Sequence, residues 1–516
     1  MNTNSALASI MKAAKNVSFS TEKDDLFVFS RDASQLVGTA IAVARPESTA
    51  DVAEVVKAAA AEGIGVVPRG AGTGLAGGAV PDSNIVIDLT RMNRISKIDA
   101  RSRICSLDAG VILNDLNYEL AKHDMYFPVI PSSHKACTIG GMIATNAAGI
   151  RSVKFGKVDN WVKSLTVIDG SGTAHEIEGP GDFCGTEGTF GIITEAKVKL
   201  APAITETAVD FLKFETATLM AEKAAELVND KSLVALEMVD RTTADMLGLG
   251  KSMLLIAEYE GKGSATSERN KEEIDRIWNV RDSAYPKLAS GGYPLIEDPK
   301  VSLDKLAELL LWLEANKIPS FGHVALGIMH PCFPFGADKV TEEMYSFVEM
   351  LGGEVSGEHG IGSRKKKYLS ALGAERIEKL KKKYDPKDTI NPGKVVGKAA
   401  QHIAKLTELG LPEKCSNCGM CRFNCPTLAA EMNESNSSRG RANLIRKGIP
   451  SEILLKCTLC KHCEIVCPAG VKLPDAIERA REKVKTAYGE EMIKNIREHG
   501  NVYGKPGTRI KTLQCC

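Results

Sequence analysis

The chain has 516 residues, with 66 Lys and Arg against 65 Asp and Glu. So even a balance leaves no basic field to gather nucleic acid or anionic lipid, and no run approaches the ~20 apolar residues of a membrane span. The length suits about three domains, and the N-terminus lacks the apolar core of a signal peptide. The expectation is a cytoplasmic protein without direct membrane insertion, meeting any membrane only through a partner.

Residues 1–36 read as a helical lead-in. Residues 37–203 alternate short Val/Ile-rich strands with Gly-rich turns, including a helix over 50–62 and strands over 65–68 and 84–89. The run Arg69-Gly70-Ala71-Gly72-Thr73-Gly74-Leu75-Ala76-Gly77-Gly78 contains G-x-G-x-x-G at Gly72, Gly74 and Gly77. A dinucleotide fingerprint needs a helix after it, and here a second strand follows instead. The kinase glycine loop shares that context, but no strand lysine, HRD or DFG signature appears. What remains is a loop whose N–H groups curl into an anion nest. Two more runs of small residues follow at 139–149, after Pro131-Ser132-Ser133, and at 185–195. They let backbone approach a flat ring closely.

Residues 204–400 mix helices, over 217–229, 262–280 and 303–316, with strands such as 252–259. The pattern predicts an α+β layer with helices on one face of an antiparallel sheet. From Lys398 strands are expected to vanish, and residues 401–516 embed cysteine runs in charged helices.

Eight of the 14 cysteines fall in those runs. Cys415, Cys418, Cys421 and Cys425-Pro426 read C-x2-C-x2-C-x3-C-P, and Cys457, Cys460, Cys463 and Cys467-Pro468 repeat it. This spacing wraps a [4Fe–4S] cube with three thiolates and lends the fourth to a second cube. The expected ligand sets are therefore crossed: Cys415, Cys418, Cys421 and Cys467, then Cys457, Cys460, Cys463 and Cys425. Zinc sites favour C-x2-C pairs and disulfides favour short secreted chains, so both fit less well. Clusters also suit a reducing compartment. Arg422, Lys456 and Lys461 beside the runs read mainly as solvated positions, and Cys105, Cys137, Cys184 and Cys332 mostly as small apolar fillers.

Taken in order, RGAGTGLAGG, TIGGMIATNAAG, GTEGTFGIITEA and Asp385-Pro386…Asn391-Pro392-Gly393-Lys394 resemble the PCMH-type FAD-binding fold of the vanillyl-alcohol oxidase superfamily. The likeness is to its D-lactate dehydrogenase and glycolate oxidase large-subunit branch, over roughly residues 30–400. The tail, with Ser438-Arg439-Gly440-Arg441 between its cysteine runs, resembles the partner iron–sulfur subunit of those systems. The resemblance implies an α+β fold: a PCMH-type domain over 37–203, an α+β cap over 204–400, and an α-helical ferredoxin-type 2[4Fe–4S] domain over 401–516. It implies FAD held noncovalently, since the first loop lacks histidine and cysteine. Arg69 to Leu75 would take the pyrophosphate, while Pro131, Ser132, Thr138, Gly141, Ala144, Ile193 and Asn391 would join the cofactor site.

The same resemblance gives Arg281 the substrate carboxylate, which a guanidinium fork suits, and makes His359 the base and Glu358 a metal ligand. His323 and His330 would complete a two-His, one-carboxylate site for zinc, manganese or iron. Seven residues apart on one regular strand they would face opposite ways, so the expectation is a bend at Gly327. The family's Gly-Asp-Gly-Asn core is here Ala325-Leu326-Gly327-Ile328, and Cys332 replaces a polar residue.

The implied activity is oxidation of a small D-2-hydroxy acid, lactate or glycolate first. Electrons would leave through the clusters to an acceptor protein or a cysteine-rich, heterodisulfide-reductase-like subunit. The terminal Cys515-Cys516 pair is either a point of need for such a subunit or a remnant. The competing reading is an electron-transfer subunit without hydroxy-acid chemistry of its own.

Overall fold

The computed structural model describes residues 3–398, 400–410 and 412–499, so the Cys515-Cys516 pair lies outside the described residues. Its first sheet forms where Val, Ile and Ala concentrate. Thr39–Arg45, Asp82–Asp88 and Val66–Arg69 run parallel, and Ser18–Ser20 joins antiparallel at the edge. The crossover helix Thr49–Glu62 buries Val52, Val55, Val56 and Ala59, one face at helical spacing. Ser48 caps its start, and Gly63 ends it in the left-handed region at φ 67°.

A second, wholly antiparallel sheet has the order Ala174–Glu178, Val162–Asp169, Gly191–Lys199, Ile104–Asp108, Ile95–Asp99. The short helix Ile139–Thr145, capped by Thr138 Oγ1 on Gly141 N, packs with it.

The cap is built on a six-stranded sheet in the order Thr207–Phe214, Met253–Glu260, Leu233–Val239, Ser320–His323, Ile328–Phe333, Leu295–Ile296. Along the central strand Leu236 and Met238 join the core made with the helices Ala217–Leu227 and Leu306–Ala315. Glu237 and Val239 face the other way, as alternation requires. That second face also carries His323.

Two expectations need correction. The helix placed over 262–280 begins at Lys271, because Asn270 caps Glu272 and Glu273 there and Gly261 and Gly263 take positive φ before it. Strands also persist past Lys398, since Ala404–Lys405 pairs with Leu36–Val37. Beyond it the chain forms short helices, of which Ser438–Lys447 sends Leu444 into a core with Val28, Phe29, Val43 and Val86 of the first domain.

Candidate active site and redox chain

One cavity draws its wall from all three parts of the molecule. Arg69 through Leu75, Pro131, Ser132, Thr138, Gly141, Ala144 and Ile193 all border it. Asn391 does not; it stands behind the wall, its amide donating to the carbonyls of Gly78 at 3.0 Å and Glu187 at 2.9 Å. Among the described residues no protein acceptor takes the N–H of Gly72, Thr73, Gly74 or Leu75. Backbone donors left open in a cavity wall are what a diphosphate would satisfy. Arg69 lies buried beneath them, and a Cβ on Gly72 (φ 61°) would collide with its guanidinium.

The far end of the cavity holds the histidines. Instead of one bent strand, residues 320–333 form a hairpin turned through Val324–Leu326 and Gly327, at φ 67°. His330 pairs directly with Phe321, and His323 is two residues along from Phe321. Directly paired residues share a face, and so do alternate residues on one strand. His323 and His330 therefore point the same way.

Their Nε2 atoms stand 3.3 and 3.0 Å from one oxygen of Glu358. These three ligand atoms lie within 4.8 Å of one another. Burial opposes charge on Glu358, yet the two imidazoles hold its carboxyl well below the usual range. Burial also pushes His323 down, but Glu237 and then Glu358 lift it to about 9. Two imidazoles and a carboxylate converging on one point fit a divalent transition ion.

Glu237 escaped the reading of local motifs. Fully buried and directly opposite His323 in the sheet, it accepts from His323 Nδ1 at 2.6 Å and pairs with Arg281 Nη2. The first contact fixes the tautomer, leaving Nε2 for a metal. Arg281 is buried, stacks 5.0 Å over Phe321, and donates from Nη1 to Ser132 at 3.1 Å. Its Nε has no partner, so three of its five N–H donors stay available.

His359 borders the same cavity, stacked on His330 at 4.9 Å. Burial, then the charge of His330, pushes its imidazole down to about 3. Its loop is shaped by Asp298, which accepts from the N–H groups of Glu358 and His359 at 2.7 Å each and pairs with Lys365. Glu187 accepts from Ile361 at 2.6 Å and Gly362 at 3.1 Å on the other side. Cys332 lies apart, in an apolar cluster with Phe321 and Ile296, its thiol raised well above 9 by burial.

The cysteines gather in two groups. Cys418 interacts with Cys415 and Cys467, and Cys421 with Cys418, Cys415 and, from the other group, Cys463. Cys425 lines a second cavity with Cys457, Cys460 and Cys463. Burial, then neighbouring thiols, pushes Cys463 up to about 12. Four thiols gathered at each of two places fit a pair of iron–sulfur cubes. Cys418 and Met420 also border the first cavity. Arg422, expected in solvent, is buried and paired with Glu434 at 2.5 Å, because the cluster segment packs against the first domain there. Lys456 and Lys461 are exposed.

Comparison with known proteins agrees with this geometry. The family model for an FAD binding domain matches residues 40–178, and that for the C-terminal domain of FAD linked oxidases matches residues 203–395. The D-lactate dehydrogenase of Archaeoglobus fulgidus is 30% identical over 69% of this chain and 91% of its own length. The chain belongs to the FAD-linked oxidases. This FAD-linked oxidase also matches a 4Fe-4S dicluster domain over residues 412–471, so it carries FAD and 4Fe–4S clusters in one polypeptide. Glycolate oxidase subunit GlcD of Bacillus subtilis is 29% identical over 72% of the chain and 93% of that protein. D-2-hydroxyglutarate dehydrogenase of Xanthomonas citri pv. viticola is 28% identical over 76% and 97%. An alkyldihydroxyacetonephosphate synthase structure shares the fold, with TM-score 0.54 at 17% identity, covering 72% of this chain and 82% of that one. Among the described residues no helix is long and apolar enough to cross a membrane.

Proposed function

We propose that the protein is a dehydrogenase for a small D-2-hydroxy acid with a single carboxylate, lactate or glycolate foremost. The observation that carries this is the convergence of Arg281, His359 and the His323, His330, Glu358 set on a cavity that Cys418 also borders. When bound, FAD takes the hydride as an electron pair, and the clusters pass the electrons on singly. Arg281 offers its open N–H donors to the carboxylate, braced by Ser132 and Glu237. His359, which burial keeps neutral and so free to accept, would take the hydroxyl proton. A divalent ion held by His323, His330 and Glu358 would polarise the substrate's oxygen.

From the cap, Arg281 is the one Lys or Arg side chain on the described cavity wall. This supports a monocarboxylate over a dicarboxylate such as 2-hydroxyglutarate. The ligand sets are read as Cys415, Cys418, Cys421 and Cys467 nearest the flavin cavity, then Cys425, Cys457, Cys460 and Cys463. Exposed Cys460, with Ile465 75% exposed beside that second set, marks where a one-electron acceptor protein would meet the chain. We place the protein in the reducing cytoplasm.

The test is anaerobic mixing of purified protein with D-lactate, glycolate and D-2-hydroxyglutarate. Flavin bleaching is expected with one of the first two and not with the third. His359→Ala should slow bleaching by about 10²–10⁴-fold with FAD and clusters retained. Wild-type flavin that no hydroxy acid bleaches would point to an electron-transfer subunit instead.

A further inference from the structure

The Ser438-Arg439-Gly440-Arg441 motif opens the helix Ser438–Lys447, which lies between the two cysteine runs in sequence. Both arginines are buried, at 2% and 1% exposure, and they serve different neighbours. Arg439 donates from Nη2 to the carbonyl of Ala71 at 2.5 Å and from Nη1 to that of Gly72 at 3.1 Å, both in the flavin loop. Its Nε holds Glu434 at 2.8 Å. The same guanidinium lies over the turn between Cys418 and Cys421, where a Cβ on Gly419 would come within 2.8 Å of Nη1. Arg441 instead reaches Sγ of Cys425 at 3.9 Å, anchored on Asn436 O at 2.6 Å and Thr427 Oγ1 at 2.9 Å. Its Nη2 has no partner.

Charge makes the arrangement costly unless an anion completes it. Arg422 and Arg439 share the carboxylate of Glu434, and Arg69 interacts with it as well. The other acids near Arg69, Asp32 and Asp88, are themselves pushed up by burial. Two buried guanidinium groups thus share one carboxylate, and buried charge needs a counter-charge. The diphosphate of FAD and the net negative charge of a thiolate-bound cube are such anions.

We propose that Arg439 raises the reduction potential of the cluster nearest the flavin and ties its loop to the flavin loop, while Arg441 raises that of the outer cluster. The assignment rests on the cysteine sets read above. Reduction adds one electron to a cube, taking it from 2+ to 1+ with no bond made and no proton moved. The electron comes from flavin reduced by the hydroxy acid and leaves to a one-electron acceptor protein. A buried cation beside the sulfurs favours the more negative state.

The experiment is potentiometric titration of the full-length, cluster-loaded chain, followed by electron paramagnetic resonance. Signals are assigned by their loss in Cys418→Ser and Cys460→Ser. In Arg439→Gln the near-cluster midpoint should drop by about 59 mV, a tenfold change in a one-electron equilibrium, while the outer one holds. In Arg441→Gln the pattern should reverse. Arg439→Lys should keep the near potential yet release FAD more readily, because charge survives and the carbonyl bridge does not. Unmoved midpoints at full iron content, or both clusters shifting together in each variant, would overturn the inference. Should Arg439→Gln fail to assemble, Arg441→Gln decides: an unmoved outer midpoint sinks it. Wild-type iron well short of eight per chain would instead show that the two-cluster reading had failed.

Discussion

Glu237 interrupts an otherwise apolar strand, Leu233–Val239, and both of its oxygens are engaged inside the cap. In Glu237→Gln an amide oxygen can still accept from Arg281, but the amide nitrogen then faces His323 Nδ1. That would push the ring proton to Nε2, where a metal lone pair is needed. Metal retention against a graded chelator should weaken about 10–100-fold, with FAD and iron unchanged. Equal retention in both proteins would rule out the orienting role.

Asp240 makes a second residue-level case. It caps Thr243 N and accepts from Ser320 N, each at 2.7 Å, so it pins the start of the strand bearing His323. Burial raises its carboxyl to about 6. The folded state then holds that proton more tightly than the unfolded chain. Its stabilising effect is full below about pH 4 and lost as pH rises through about 6. Against Asp240→Asn, the wild-type stability advantage should shrink by about 3 kcal/mol between pH 4 and 7, read from thermal midpoints. A constant difference across that range contradicts the assignment.

At the scale of elements, the hairpin 320–333 shows what was legible and what was not. Two histidines seven apart with a glycine between them do come together, but the periodicity argument assumed one strand. The turn through Val324–Leu326 makes two strands of it, and pairing rather than period brings the rings together. Gly327 is required twice over: its φ is positive, and a Cβ there would overlap the Val301 carbonyl. Gly327→Ala should destabilise the cap by at least about 2 kcal/mol and lower metal content, as calorimetry and elemental analysis would show. An undisturbed midpoint would mean the turn relaxes freely.

The glycine runs and cysteine spacings were readable because each concentrates its function within a few residues. Glu237 and Asp298 were not, because their partners lie 44 or more residues away in sequence. The one local hint was an acid in the middle of LVALEMV.

Across the whole molecule, Cys418 stands in the wall of the flavin cavity while Cys460 reaches solvent. The two halves of the reaction are thus separable. Cys418→Ser should leave hydroxy-acid bleaching of the flavin nearly intact but cut electron delivery to a one-electron dye by at least about tenfold. Stopped-flow absorbance would follow both steps, and undiminished dye reduction would argue for a direct route from flavin to solvent.

The strap across the glycine loop also bears on how such a molecule is put together. Gln35 holds Ser416 O at 2.7 Å, Asn417 holds Asp32 O at 2.8 Å, and Arg439 grips Ala71 and Gly72. Once those contacts close, Cys418 and Met420 of the iron-bearing tail complete the wall of the cavity in which the nucleotide would sit. Biogenesis would then have a fixed order: the organic cofactor settles first, and maturation of the metal centres locks it in.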